Sequence, residues 1–243
     1  MRPEGAAVPD LSRRVLIPEL MDTEDCGPAE FRACLVDLAR VNRLTLAYRP
    51  TLAWLRRVAP RRPAGEPLRI VDVGGGYGNM LRRIDRWAAR RGIPLELTSI
   101  DINPWAREAG AADARTGRPI RWVTANVFDY RPDEPVDVVL SSLFAHHLTD
   151  DEVVAFLRWM EATARLGWFV NDLHRHAVPY HVFRRWSRLA RWHRFVQHDG
   201  PVSIGRAFVG ADWRALIGRA GLDPEAVRIT WWMPFRLCVG RIR

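Results

Sequence analysis

Val71-Asp72-Val73-Gly74-Gly75-Gly76-Tyr77-Gly78 is the stretch that decides how the chain is read. Leu68 to Val73 is a short apolar run rich in β-branched residues, which predicts a buried strand. The glycines stop it. From Met80 onward Leu81, Ile84, Trp87 and Ala88 recur at helical spacing, so the unit is strand, tight glycine loop, helix. Glycine tolerates positive φ and carries no side chain, so such a loop lets a ligand come close to the backbone. The N-terminus of the following helix offers free N–H groups to an anion. A nicotinamide fingerprint, G-x-G-x-x-G, would need glycine at position 79, where Asn79 stands. The loop therefore points to a nucleotide-like cofactor other than a nicotinamide.

Composition bounds the rest. A chain of 243 residues, 48% of them hydrophobic, suits one α/β domain with a helical addition, or two small domains. No apolar run is long enough to cross a membrane. Arg2 is followed by no apolar core, which argues against a signal peptide. Cys26, Cys34 and Cys238 are few and irregularly spaced, which predicts a reducing, cytoplasmic setting and no zinc framework. The net charge is +9, and every one of the 37 Lys+Arg residues is arginine. That fits codon bias in a GC-rich genome better than a selected nucleic-acid surface. The arginines are also scattered along solvated helix faces, as at Arg82, Arg83 and Arg86. No specific nucleic-acid partner is expected.

Working outward, residues 1–66 read as a loose arm followed by a helical cap. Pro28 starts one helix, with Phe31, Cys34, Leu35 and Leu38 on its apolar stripe, and a second runs from Pro50 to Val58. Residues 60–67 form a linker. Downstream of the glycine loop, Leu95–Ile100 is a second strand ending in Asp101. In doubly wound folds an acid there bonds ribose hydroxyls, although Asp101 also suits a helix cap before Asn103-Pro104. Ile120–Ala125 and Val136–Leu140 are further strands. Thr149 and Glu152 form a capping box for the next helix. Gly167–Leu173 is a fifth strand, and Pro179–Val196 is one aromatic-rich helix inside a lid spanning about 174–208. Ala211–Ala220 is helical. Val227–Trp232 and Phe235–Arg241 close the chain as a β pair.

Asp72-x-Gly74-x-Gly76-x-Gly78 resembles motif I of class I methyltransferases that use S-adenosylmethionine (SAM). From Leu68 on, the order of parts is similar to bacterial small-molecule methyltransferases of the UbiE/UbiG-like kind. Phe144-Ala145-His146-His147-Leu148, Asn171-Asp172-Leu173-His174-Arg175 and Val196-Gln197-His198-Asp199-Gly200-Pro201 resemble a subgroup found near polyketide and other secondary-metabolite pathways. The resemblance implies a Rossmann-like, doubly wound, seven-stranded α/β sheet over 67–243, with SAM as methyl donor and S-adenosylhomocysteine (SAH) as product. It implies a cofactor site at Asp72, Gly74, Gly75, Gly76, Gly78, Asp101, Ile102, Asn126, Val127, Phe128 and Ser142. Position 126 carries an acid in that family. The amide oxygen of Asn126 can accept the same hydrogen bond from the adenine amino group. Asn-Pro-Pro-Tyr, the mark of many nucleic-acid and protein amino methylases, is absent after the fourth strand.

A histidine can accept a phenolic proton during methyl transfer. His147, His146 and His174 are the candidate bases, against the plainer reading of each as a packing residue. An aromatic or apolar small-molecule acceptor is assigned to Met21, Tyr48, Phe144, Tyr180, Phe183 and His198. No metal is expected, because adjacent histidines are a poor ligand spacing and no third ligand stands near them. Catechol-type enzymes place magnesium-binding acids after strands four and five. Asn171-Asp172 fits the second position, but Ser141-Ser142 replaces the first. The leading expectation is metal-independent O-methylation of an aromatic or polyketide-like hydroxyl. C- or N-methylation, an RNA or protein methylase and a non-catalytic SAM-binding subunit stay open, as does a homodimer.

Overall fold

The computed structural model describes residues 9–23, 27–112 and 117–243. Residues 1–8 of the expected arm and Cys26 lie outside them. The strands are β1 (Leu68–Val73), β2 (Leu95–Asp101), β3 (Ile120–Thr124), β4 (Val136–Ser142), β5 (Ala164–Leu173), β6 (Val227–Trp232) and β7 (Arg236–Ile242). They make one seven-stranded sheet in the order β3-β2-β1-β4-β5-β7-β6. β1 to β5 are parallel, and β7 lies antiparallel between β5 and β6. This is the Rossmann-like methyltransferase architecture that the family resemblance implied. β1 and β4 are buried almost throughout because helices cover both faces of the sheet.

On one face, α3 (Arg49–Val58) and α4 (Asn79–Ala89) bury Leu55, Val58, Leu81 and Ile84 against β1, β2 and β4. On the other, α6 (Asp150–Thr163) and α9 (Gly210–Arg219) bury Phe156, Leu157, Met160 and Trp213. Each such side chain contributes about 1.5–3 kcal/mol. The capping box at the start of α6 is present, with Thr149 and Glu152 bonded reciprocally. A third apolar cluster lies off the sheet and unites the N-terminal helix α2 (Pro28–Leu44) with α5 (Pro104–Ala112) and with Phe195 and Val196 of the lid.

Three local expectations are corrected. The stretch expected as a lid is two helices, α7 (Ala177–Leu189) and α8 (Arg194–Arg206). Arg191 turns at φ 50° between them, and the His193 ring accepts from the Phe195 N–H to cap the second. Gly200-Pro201, which reads as a turn, lies inside α8. A Cβ on Gly200 would stand 2.0 Å from Phe183 Cε1, so that glycine sets how closely α7 and α8 approach. β5 begins at Ala164 rather than Gly167. Gly167 sits within the strand at φ 151°, where a Cβ would meet the Arg241 carbonyl oxygen at 2.3 Å.

Candidate active site

The register brings the carboxyl ends of the central strands to one edge. Val73 pairs with Ile100 and Ser141, and Ser142 pairs with Asn171. In open α/β sheets, ligands bind outside this edge.

On its β1–β2 side stands the glycine loop. Gly74, Gly76 and Gly78 adopt φ of 66°, 52° and 82°. A Cβ on Gly74 would lie 2.7 Å from Phe144 Cδ2, and one on Gly75 would lie 2.2 Å from Ser99 Oγ. The loop is held by Asp101, whose Oδ2 accepts from the Gly76 N–H at 2.8 Å while Oδ1 accepts from Asn103 at 2.9 Å. A carboxylate has about four acceptor positions, so Asp101 retains capacity for hydroxyl donors. Burial raises its carboxyl, and the two N–H donors and His147 offset part of that.

Beneath the loop, Asp72 is buried with neither carboxylate oxygen bonded among the described residues. Desolvation, then the charge of Asp101, pushes its carboxyl up to about 8. An orphaned acid under a loop that only glycine can form fits a ligand with a positive charge and hydroxyl donors. Of the other cofactor candidates, Ile102 is exposed, and Asn126 accepts from the Phe128 N–H at 3.1 Å. Val127 is buried in the core, with Phe128 packed against it. Ser142 is half-buried at the end of β4. Phe144, assigned to the acceptor, stands over Gly74 and against the edge of Phe156.

On the β4–β5 side stand the histidines, in a short turn at Ala145–His147. His146 is buried. Its N–H donates to Asp172 Oδ2 at 3.0 Å, and its Nδ1 lies 2.7 Å from Asp172 Oδ1. Burial works to raise the Asp172 carboxyl, but His146, the Leu173 N–H and Arg236 together hold it below its ordinary value. His147 is partly exposed, with 28% of its side chain accessible. Both rings face Glu19: His146 Nε2 is 3.7 Å from Oε1, and His147 Nε2 is 3.9 Å from Oε2. Glu19 thus adds a third potential ligand that the local sequence around the histidines lacks, and the three candidate ligand atoms lie within 4.8 Å of one another.

Glu19 reaches the histidines because the N-terminal strap is fastened to α8. Ser203 Oγ donates to Glu19 Oε1 at 2.7 Å. Asp199 accepts from the backbone N–H groups of Leu20 and Met21. Arg206 spans Ile17 O, His146 O and His147 O, and Arg14 adds Leu148 O. None of Glu19, Ser203, Arg14 or Arg206 carries a motif. The one available signal is that Glu19 opens an ordered stretch and Ser203 follows His198-Asp199.

The remaining candidates are spread out. His174 has the His176 ring as a neighbour at 6.0 Å, and its half-buried ring is kept below its ordinary pKa by desolvation, then by His176 and Arg175. Met21 packs in the third apolar cluster, its sulfur 3.7 Å from Cys34 Sγ. Tyr48 packs beside the core under Arg83. Tyr180 is buried on α7, and Phe183 wedges against Gly200 and Trp192. The His198 Nδ1 bonds Asp199 at 2.7 Å. Arg236, on β7, is buried, and its Nη2 donates to Asn42 Oδ1 at 3.1 Å.

Residues 70–167 match the family described as a methyltransferase domain. No curated protein matches the sequence. Among solved structures, the chain is similar to the plantazolicin methyltransferase BpumL in complex with SAH. The TM-score is 0.62 at 12% identity, with 89% of this chain and 94% of that one covered. It is also similar to the magnesium protoporphyrin IX methyltransferase of Synechocystis PCC 6803 with bound SAH. There the TM-score is 0.54 at 15% identity, with 84% of each chain covered. A third likeness is to the CMeT domain of the citrinin polyketide synthase, with a TM-score of 0.56 at 14% identity, covering 80% of this chain and 52% of that one.

Proposed function

We propose that this chain, a class I methyltransferase that uses SAM, methylates the hydroxyl of a small aromatic or polyketide-like acceptor with assistance from its histidine pair. One observation carries the reading. A partly exposed histidine stands at the exit of β4, across the sheet edge from a loop whose positive φ and close contacts favour glycine. The structural relatives named for protoporphyrin, plantazolicin and polyketide chemistry support a small-molecule acceptor.

SAM supplies a methyl group already activated on a sulfonium. What remains for the protein is alignment, exclusion of water and management of one proton. Alignment alone is worth roughly 7–11 kcal/mol in favourable intramolecular models. The glycine loop and Asp101 hold the donor side. On the acceptor side Asp172 fixes the His146 ring, Arg206 fixes the backbone of both histidines, and His147 presents a nitrogen to the incoming hydroxyl. A positioned group of this kind contributes about 10²–10⁴-fold. Phe183 and Trp186 of α7, Phe195 of α8 and Trp192 between them form an aromatic cluster beside the N-terminal helix, which supports an apolar acceptor.

The reading is tested by incubating the purified chain with methyl-labelled SAM and a panel of hydroxylated aromatic and polyketide-like compounds. The labelled carbon is then placed by NMR. A methoxy carbon supports it. A carbon- or nitrogen-bound methyl group would overturn the choice of acceptor atom while leaving the methyltransferase itself in place.

A further inference from the structure

The contact between Glu19 and the two histidines asks for something more than a base. Asp172 accepts three hydrogen bonds, two from His146 and one from the Leu173 N–H. An ionised carboxylate only accepts, so Nδ1 of His146 is the donor, and a neutral ring then carries its lone pair on Nε2. That nitrogen faces Glu19 Oε1 at 3.7 Å, and both residues are buried. Although Oε1 also accepts from Ser203 Oγ, a nitrogen lone pair turned toward a carboxylate in a buried place is unfavourable unless a positive charge lies between them. A proton needs one partner on each side. Here a second nitrogen, His147 Nε2, converges on the other oxygen of the same carboxylate at 3.9 Å.

We propose that Glu19, His146 and His147 form a binding site for a divalent transition-metal cation. Two imidazoles and one carboxylate are a ligand set suited to zinc and its neighbours, such as cobalt, and one that leaves a coordination position open. Ligand atoms about 2.1 Å from one tetrahedral ion stand about 3.4 Å apart. The nitrogens here lie 3.7 and 3.9 Å from the two oxygens of Glu19, and the three ligand atoms lie within 4.8 Å of one another, so small side-chain rotations bring them to that spacing. The surroundings are built as metal sites are built. Asp172 orients the first imidazole through Nδ1, and Ser203 orients the carboxylate from 2.7 Å. The nearby guanidiniums of Arg14 and Arg206 are turned to the backbone carbonyls of residues 146–148. The partial exposure of His147 gives the open side.

The binding site stands on this geometry alone; its catalytic use rests on the function proposed above. There the cation takes the acceptor hydroxyl as its further ligand, and His147 serves as ligand where it would otherwise serve as base. The O–H bond breaks with its proton leaving to solvent, the oxygen lone pair forms the O–CH₃ bond, and the S–CH₃ pair stays on sulfur.

The test uses the full chain stripped with a chelator and titrated with Co²⁺, whose visible absorption reports its coordination. One equivalent should bind with a four- or five-coordinate spectrum, and Zn²⁺ should displace it. Glu19→Gln and His147→Ala should each weaken cobalt binding at least tenfold. SAH titration of each variant shows that it is folded, and His147, being partly exposed, is the safer of the two. No one-equivalent spectrum in the parent chain, or undiminished uptake in both variants, would overturn the site. Full methyl transfer by the stripped chain would overturn its catalytic use. SAH binding and methyl transfer without cobalt uptake would remove the cation and keep the methyltransferase. Cobalt uptake without SAH binding would do the reverse.

Discussion

The two sides of the sheet edge are assembled in opposite ways. The donor side is a contiguous piece of chain: residues 72–78 leave β1, turn on three positive-φ glycines and enter α4, with a single distant acid, Asp101, holding the loop. The acceptor side has no such piece. Glu19, His146, Asp172, Ser203 and Arg206 come from four separate places in the chain, the last two from α8, and are tied to one another by side-chain contacts. On the proposed function, the contrast teaches that a shared donor can be held by backbone shape, which tolerates little change. The acceptor would then be met by side chains on a strap and a helical hairpin, which can vary without disturbing the sheet.

If the two sides are separable in this way, substitutions should split binding from turnover. The largest effect belongs to His147→Ala, which should lower methyl transfer by about 10²-fold or more while SAH affinity measured by calorimetry stays within about twofold. Equal turnover would remove His147 from the reaction, and a matching loss of SAH affinity would break the division. Gly74→Ala should do the opposite. Its Cβ would lie 2.7 Å from Phe144 Cδ2 in a backbone conformation that disfavours side chains. SAH affinity should fall about 100-fold, or about 2.7 kcal/mol.

Asp72 sharpens the donor side through pH. Its carboxyl is raised from 3.8 to about 8 by burial, so the folded chain keeps a proton that the unfolded chain releases. Between those two values each rise in pH favours the unfolded state, and the loss is complete above about 8. Asp72→Asn should therefore melt higher than the parent at pH 8. The difference should shrink steadily toward pH 4, and SAH binding should be weaker throughout. A gap independent of pH would contradict the buried, unpaired acid. The smallest effect is on the acceptor side. Gly200→Ala would push Phe183 away from α8 and should cost about 1–3 kcal/mol, a few degrees in melting temperature, with SAH affinity unchanged.

The same contrast explains what could be read in advance. The strand, the glycine loop and Asp101 are legible because their chemistry is local or lies at a spacing that the fold imposes. The capping box of α6 is legible for the same reason. Gly200-Pro201 misleads because a dipeptide that favours turns is used instead for close helix packing, which only the partner side chain Phe183 reveals. Glu19 carries no motif, and its only signal is that it opens an ordered stretch. It is one acid among 28 acidic residues, 127 positions before His146, and its role exists only because Asp199 and Ser203 dock the strap. Phe144 lies in a stretch that reads as acceptor-facing, yet its ring covers Gly74 because the backbone turns sharply at Leu143, where φ is 58°.

The central claim is methyl transfer to a small molecule. Its most direct test is to incubate the chain with methyl-labelled SAM and a cell extract and to count label in the organic, nucleic-acid and protein fractions. The account predicts label in the organic fraction that falls with His147→Ala. Label in RNA or protein instead would contradict it.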